Sequence, residues 1–306
     1  MCWPTSLWPL VQAGLKPRFV DVNVNNFNMD MNEFKRKLTE RIKAIMAVHV
    51  LGNSTHIEEI GKIAKSRNIF LIEDTCESLG AKYNEKHLGT FGDFGTYSFY
   101  YSHQITSGEG GMVVCNSRDD YELIHSMRSH GWNRKLKNIR NKDTSFSFIN
   151  SGFNLRPLDI TAAIGLSQFR RLKSLIKTRT NNRNRIIEKL TTSNLWNEQF
   201  SFLKIEENMK PSFFGFPILI NKKYLSKKKQ FFDFLKKKSI ETRVIISGNF
   251  VNQQSVKIYN LNPKNEVFPN AQEIENRGFF IGLHLKSVSF ETLDYLEKNL
   301  LQIDKL

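Results

Sequence analysis

Ile69-Phe70-Leu71-Ile72 is an unbroken apolar run that stops at Glu73-Asp74, and no other stretch restricts the fold as much. A short run with no polar side chain alternating in it predicts a strand buried on both faces, as in a parallel sheet with helices on either side. In open α/β sheets ligands gather beyond the carboxyl ends of the strands, so a carboxylate placed there is a candidate site residue. Neighbouring segments keep the same rhythm. Phe19 to Val22 and Ala44 to Val50 read as strands, Asn32 to Glu40 as a helix, and Ile57, Ile60 and Ile63 as one apolar helical face behind a capping box at Thr55-His56-Ile57-Glu58. Strands alternating with helices imply a mainly parallel sheet.

The run Ser98 to Gly111 is the second constraint. It passes from an aromatic, strand-like stretch through His103 to Gly108, Gly110 and Gly111, ahead of an apolar strand Met112 to Cys115. Such a strand end delivers a polar side chain into a site, and the glycines permit positive φ and close backbone approach. A hairpin glycine and a packed histidine are the plainer alternatives. His49 and His56 are read as structural. Farther on, helices are expected over Arg118 to Ser129, Leu158 to Lys173, Ser226 to Lys238 and Phe290 to Ile303. Strands are expected over Phe213 to Ile220, Thr242 to Ile246 and Phe279 to Leu285, and Lys135 to Ser147 reads as a loop.

Charge and cysteine content narrow the function classes. Lys and Arg number 45 against 30 acids, a formal net charge of +15 over 306 residues. Such a field suits a diphosphate-bearing substrate. Nucleic acid is disfavoured because no recognition motif accompanies the charge, and runs such as Lys227-Lys228-Lys229 read as solvated helix faces. No apolar run reaches the length of a membrane span, and the first residues lack a charged leader and cleavage site. Cys2, Cys76 and Cys115 are too scattered for a disulfide framework, so a cytoplasmic location is expected, and they offer neither a metal site nor a cluster site.

Ile72-Glu73-Asp74, Leu79-Gly80-Ala81, Gly89-Thr90-Phe91-Gly92-Asp93, Ser98-Phe99, Gly108-Glu109-Gly110-Gly111, Arg128-Ser129-His130-Gly131-Trp132, Gly152-Phe153-Asn154-Leu155-Arg156 and Glu241-Thr242-Arg243 together resemble the sugar aminotransferase family of pyridoxal-phosphate proteins. The likeness runs from about Pro4 to about Leu300, and ordered motifs at consistent spacing are a specific signal. It implies an α/β, aspartate-aminotransferase-like fold (fold type I): a mainly parallel sheet flanked by helices in a large cofactor-binding domain, residues 1–180, and a smaller C-terminal α/β domain, residues 181–306. The members' preceding part, with a turn for the cofactor phosphate and an aromatic that stacks on the ring, has no counterpart here. The large domain is therefore expected to lack its N-terminal part.

One departure decides the expected reaction. Where the aminotransferases carry the lysine that bonds covalently to the cofactor, this chain has His103, and an imidazole cannot form that bond. The substitution matches the nucleotide-sugar 3-dehydratase branch. A second histidine-bearing branch, acting on a CDP-linked hexulose with an iron-sulfur cluster, fits the cysteines poorly. The resemblance thus implies pyridoxal 5'-phosphate and its amine form, pyridoxamine 5'-phosphate, as cofactor and glutamate as amino donor. The substrate is a nucleotide-linked 4-keto-6-deoxyhexose, GDP-4-keto-6-deoxy-D-mannose foremost, and the product feeds dideoxysugars of lipopolysaccharide O-antigen.

The implied roles follow residue by residue. His103 is the catalytic proton carrier. Asp74 pairs with the pyridine nitrogen, or else caps a helix. Glu77, in place of the members' usual glutamine, neighbours the ring hydroxyl or is a surface carboxylate. Ser98 contacts the cofactor phosphate. Asn154 reaches a partner's phosphate across a homodimer interface. Arg243 contacts substrate or makes a structural ion pair. Leu283 stands where an asparagine is common, so no polar role is expected there. A catalytically inactive member and, more remotely, an aminotransferase are the rival readings.

Overall fold

The computed structural model describes residues 1–54, 56–133 and 146–306. Its elements run α1 (Pro4–Gln12), α2 (Met31–Lys37), β1 (Ala44–Val48), α3 (Ile57–Ser66), β2 (Phe70–Asp74), β3 (Lys82–Tyr83), β4 (Lys86–His87), β5 (Phe94–Ser98), β6 (Gly111–Cys115) and α4 (Arg118–Met127). There follow α5 (Asp159–Phe169), α6 (Leu172–Thr191), β7 (Phe200–Phe202), β8 (Met209–Lys210), β9 (Phe216–Ile220), α7 (Lys228–Lys237), α8 (Gln254–Ile258), α9 (Pro269–Arg277), β10 (Gly278–Ile281) and α10 (Phe290–Leu300).

The main sheet has the order β1-β2-β5-β6. β1, β2 and β5 are parallel, and β6 runs antiparallel to β5. Its buried face packs Ile45, Ala47 and Leu71 beneath Ile57, Ile60 and Ala64 of α3. A smaller antiparallel sheet, β10-β9-β7, forms the centre of the C-terminal half. Val22, Phe27, Val50 and Leu51 join its core beside Phe213, Phe216 and Phe279, so the two halves share apolar packing. α6 carries that continuity across position 180: Leu175 packs with Leu79 and Ile105, while Ile186 and Leu190 enter the C-terminal core.

Several expectations change. β2 is not buried on both faces, because α3 covers the Leu71 side while Phe70 on the other is 58 % exposed. Phe19 to Val22 and Thr242 to Ile246 make isolated bridges in place of strands, Val22 with Met29 and Arg243 with Phe280, since neither segment has a neighbour to complete a ladder. The helix expected over Leu158 to Lys173 breaks at Arg170-Arg171 into α5 and α6. Among the three turn glycines only Gly108 has positive φ, +82°. Gly110 instead allows the Ser107 hydroxyl to approach, and Gly111 opens β6. The Thr55 capping box and most of the loop Lys135 to Ser147 lie outside the described residues.

Candidate active site

Two adjacent carboxylates at the end of β2 point to opposite faces, as strand geometry requires. Glu73 is fully buried. It lies 2.9 Å from His49 Nε2 and accepts the Gly89, Phe91 and Gly92 N–H groups at 2.7, 2.6 and 2.7 Å. Burial pushes its carboxyl upward, but the His49 bond and these amides outweigh burial and hold it below the usual carboxylate range. Glu73 is therefore a brace between β2 and the 89–92 turn, and His49 is structural, as its sequence context suggested. Gly89 has φ +87° and leaves no room for a Cβ against the Tyr97 hydroxyl, which fixes glycine at the turn's start.

Asp74 faces the other way and stays half-buried. Its Oδ2 accepts the Ser6 hydroxyl of α1 at 2.5 Å, and its Oδ1 accepts the Cys76 N–H at 3.1 Å. This is an Asx turn as well as an anionic site at the carboxyl end of the sheet. Burial, and then the nearby Asp74 charge, push the Cys76 thiol up, so it remains a protonated, unreactive group.

His103 sits in the same electrostatic neighbourhood. Its ring meets Phe214 edge-on at 5.1 Å and Tyr100 at 6.0 Å, and its Nδ1 is buried without a hydrogen-bond partner. Burial holds the imidazole down at about 4; Asp74 opposes that shift and the Arg179 guanidinium adds to it. The ring is consequently a neutral base near pH 7. Glu77 is pushed up to about 7 by burial and then by Asp74, against the Leu51 N–H, which it accepts at 2.9 Å. Gln104 donates to the carbonyls of both Glu77 and Ser212, the latter at 3.0 Å, tying the His103 loop to the segment that carries Phe214.

Ser98 ends β5, two residues beyond Thr96, which pairs with Asp74. Its Oγ accepts the Tyr100 N–H at 3.2 Å, leaving its O–H available to an anionic oxygen. Arg243 pairs with Glu241 at 2.8 Å and also interacts with Tyr101 of the His103 loop, so the structural pairing and a place beside the site coexist. Asn154 bridges to Ser129, accepts Arg156 Nε at 3.3 Å, and is exposed. Among the described residues no hydrogen bond joins it to Asp74, Ser98 or His103. Leu283 is core. Asp74, Glu77 and His103 are thus brought together, Ser98 ends the neighbouring strand, Arg243 borders them through Tyr101, and Asn154 stands apart.

Ser6, Gln104, Arg179 and Phe214 are contributors that motif reading missed. Gln104 could have been found from its place beside His103. The other three come from distant parts of the chain and carry no local signal. The donor set suits the phosphorylated pyridine cofactor that the motifs implied: an anion at the sheet end for a ring nitrogen, a hydroxyl for a phosphate, and an unpartnered imidazole nitrogen near the anion.

Comparison with known proteins agrees. A model of the DegT/DnrJ/EryC1/StrS aminotransferase family matches residues 1–298. GDP-4-keto-6-deoxy-D-mannose 3-dehydratase of Escherichia coli is 37 % identical over 307 residues, spanning 97 % of this chain and 77 % of that protein. Its Yersinia pseudotuberculosis counterpart is 35 % identical over 296 residues, 92 % of this chain and 72 % of that one. A solved GDP-4-keto-6-deoxymannose-3-dehydratase with a trapped PLP-glutamate geminal diamine superposes with a TM-score of 0.88 at 35 % identity, covering 98 % of this chain and 78 % of that chain.

Proposed function

Because the chain belongs to the DegT/DnrJ/EryC1/StrS aminotransferase family, we propose that it removes the C3 hydroxyl of a nucleotide-linked 4-keto-6-deoxyhexose, with GDP-4-keto-6-deoxy-D-mannose as substrate and glutamate as amino donor. The observation that carries this reading is His103, a half-buried neutral imidazole with an unpartnered Nδ1, beside Asp74 and where aminotransferases of the family hold a lysine. The relatives named as 3-dehydratases support it.

Pyridoxamine 5'-phosphate, when bound, supplies the amine that condenses with the C4 ketone and a ring that accepts electrons. Asp74, which accepts the Ser6 hydroxyl and the Cys76 N–H, would pair with the protonated ring nitrogen. Ser98 would donate to the phosphate. Glu77 would neighbour the ring hydroxyl, and burial raises its carboxyl to about 7. His103, a free base, would take a proton from the cofactor's methylene carbon, the electron pair of that C–H bond would flow toward C3 and break the C3–O bond, and the imidazole would give the proton to the departing oxygen, which leaves as water; a lysine would return the proton to C4 and yield an amino sugar. Arg243, beside Tyr101, contacts the substrate.

The protein acts as a cytoplasmic homodimer in dideoxysugar synthesis for lipopolysaccharide. No residue of α5 is buried, and Leu158, Ile160 and Leu166 are 66, 67 and 58 % exposed, an apolar face that calls for a partner. α5 lies against the loop after His103, since a Cβ on Gly165 would stand 3.5 Å from Ser107. A second copy docked there brings its Asn154 toward this site. Among the described residues no helix is long and apolar enough to cross a membrane.

Turnover of GDP-4-keto-6-deoxy-D-mannose with glutamate tests the reading. Release of ammonia and a 3-deoxy-4-keto sugar is expected. His103→Asn loses turnover while retaining cofactor, and His103→Lys loses dehydration. Formation of an amino sugar by the unmodified chain, or full dehydration by His103→Asn, overturns it.

A further inference from the structure

His103 is carried by a loop that leaves β5 and closes through two main-chain bonds, His103 N–H to Tyr100 O at 3.0 Å and Ser107 N–H to Phe99 O at 2.9 Å. Both bonds are internal to the loop, so they fix its shape but not its place. The residue that follows His103 anchors it to distant parts of the chain. Gln104 is 3 % exposed, and its Nε2 donates to Glu77 O and, at 3.0 Å, to Ser212 O. Both partners are carbonyls, so only the donor end of the amide fits between them. One side chain thereby reaches 27 residues back to the turn after β2 and 108 residues forward to the segment before β9.

The far end of this bridge is shaped to receive it. The Ser212 N–H bonds Gly52 O at 3.0 Å, the Phe214 N–H bonds Leu51 O at 3.4 Å, and the Leu51 N–H bonds the Glu77 carboxylate at 2.9 Å. Gly52 has φ +88°, and a Cβ there would stand 1.9 Å from Ser212 O, so glycine admits the carbonyl to the place where Gln104 meets it. Leu51 is itself left-handed, with φ 53°, a conformation that persists for such a side chain only where its surroundings hold it. Two residues beyond Ser212, Phe214 sets its ring against the imidazole. The circuit closes: His103 to Gln104 along the chain, Gln104 to Ser212 O, and Phe214 back to His103.

We propose that Gln104 is a positioning residue, which holds the His103 ring against Phe214 by pinning the His103 loop to Ser212 and Glu77. The inference rests on the role assigned to His103 and adds the group that keeps it in place. Without the amide two buried carbonyls lose a donor, the loop and the 212–214 segment part, and water reaches the imidazole. The charges that act on that ring, Asp74 and Arg179, are unaltered, so a change in its titration reports its enclosure.

The test is a double-mutant cycle on the full chain with Gln104→Met and Phe214→Leu, read by NMR titration of the His103 ring and by kcat and KM, with circular dichroism to establish that each variant folds. Methionine keeps the length of glutamine and offers no donor. Gln104→Met is expected to move the His103 midpoint from about 4 upward by about one pH unit or more, toward about 6.5. It should lower kcat about tenfold or more, with KM changed less than about twofold. Phe214→Leu should act in the same way, and the double variant should shift no further than either single one. Gln104→Asn, whose amide is one methylene short, should shift the midpoint in the same direction by less, and it decides the matter if methionine is not accommodated. A folded Gln104 variant with the parent midpoint and kcat overturns the proposal. So do additive shifts in the cycle, which would make Gln104 a packing residue acting apart from Phe214. Non-additive midpoint shifts in a chain that does not dehydrate GDP-4-keto-6-deoxy-D-mannose would overturn the proposed reaction and uphold Gln104 as the residue that positions the imidazole.

Discussion

His103 meets the ring of Phe214 edge-on, with centroids 5.1 Å apart and planes at 73°, so an aromatic from beyond α6 sets the environment of the residue proposed to carry the chemistry. The contact keeps water from one side of the imidazole and contributes to the burial that holds it at about 4. An imidazole lowered this far is neutral near pH 7 and well below it, and so is available as a base there.

Replacing Phe214 with alanine should let water reach that ring and raise the His103 pKa toward the ordinary histidine value of about 6.5. The acid limb of kcat/KM should then move upward by about one pH unit or more. NMR titration of the His103 ring, compared with the pH-rate profile, checks both shifts. The same depression has a stability consequence of defined sign. A base held below its unfolded-state value contributes stability that is fully present above about pH 6.5 and is lost as pH falls through about 4.

Glu77 works in the opposite direction. Its carboxyl is raised to about 7, so its contribution to stability is full below the ordinary carboxylate value and is lost as pH rises through about 7. Glu77→Gln keeps an acceptor for the Leu51 N–H and removes the titration. With the shift discounted for partial exposure, the variant should gain about 1 kcal/mol over the parent near pH 8 and little near pH 4, measured by urea unfolding at both values.

Glu73→Gln should be costly. It removes the charge that three backbone amides and His49 surround and leaves buried donors without a full partner. A loss of about 3 kcal/mol is expected, read by chemical denaturation. Proteolysis or exchange should locate the loosening at residues 89–92.

Leu166→Glu on α5 places a charge on the exposed apolar face. If that face joins two copies, light scattering should show the parent as a dimer and the variant as a monomer, with turnover reduced at least about tenfold. The His103 titration should stay in place, because that ring is enclosed by Phe214 and Tyr100 of its own chain.

Much of this was legible in the residues, for reasons that differ by element. β2 and its terminal carboxylates announce themselves because an apolar run ending in acids is a local pattern, and the motif spacing led from it to Ser98, His103 and the family. What the pattern did not hold was the division between Glu73 and Asp74, which depends on where α3 and α1 pack. Phe214, Arg179 and Ser6 meet the site only through tertiary folding. Phe19 to Val22 was read as a strand from composition, but a strand is a property of a pair of segments, and this one faces a cavity. The break at Arg170-Arg171 carries no local signal because the apolar spacing of α5 continues into Leu172 and Leu175 at the start of α6, while only α6 buries side chains.

The back-to-back placement of Glu73 and Asp74 also acts as a check on folding. Because successive side chains on β2 point to opposite faces, a slip of one residue against β1 would exchange them. The brace to the 89–92 turn would swing outward, and the site carboxylate would be forced into the core among groups arranged for its neighbour. One error would thus forfeit stability and chemistry together.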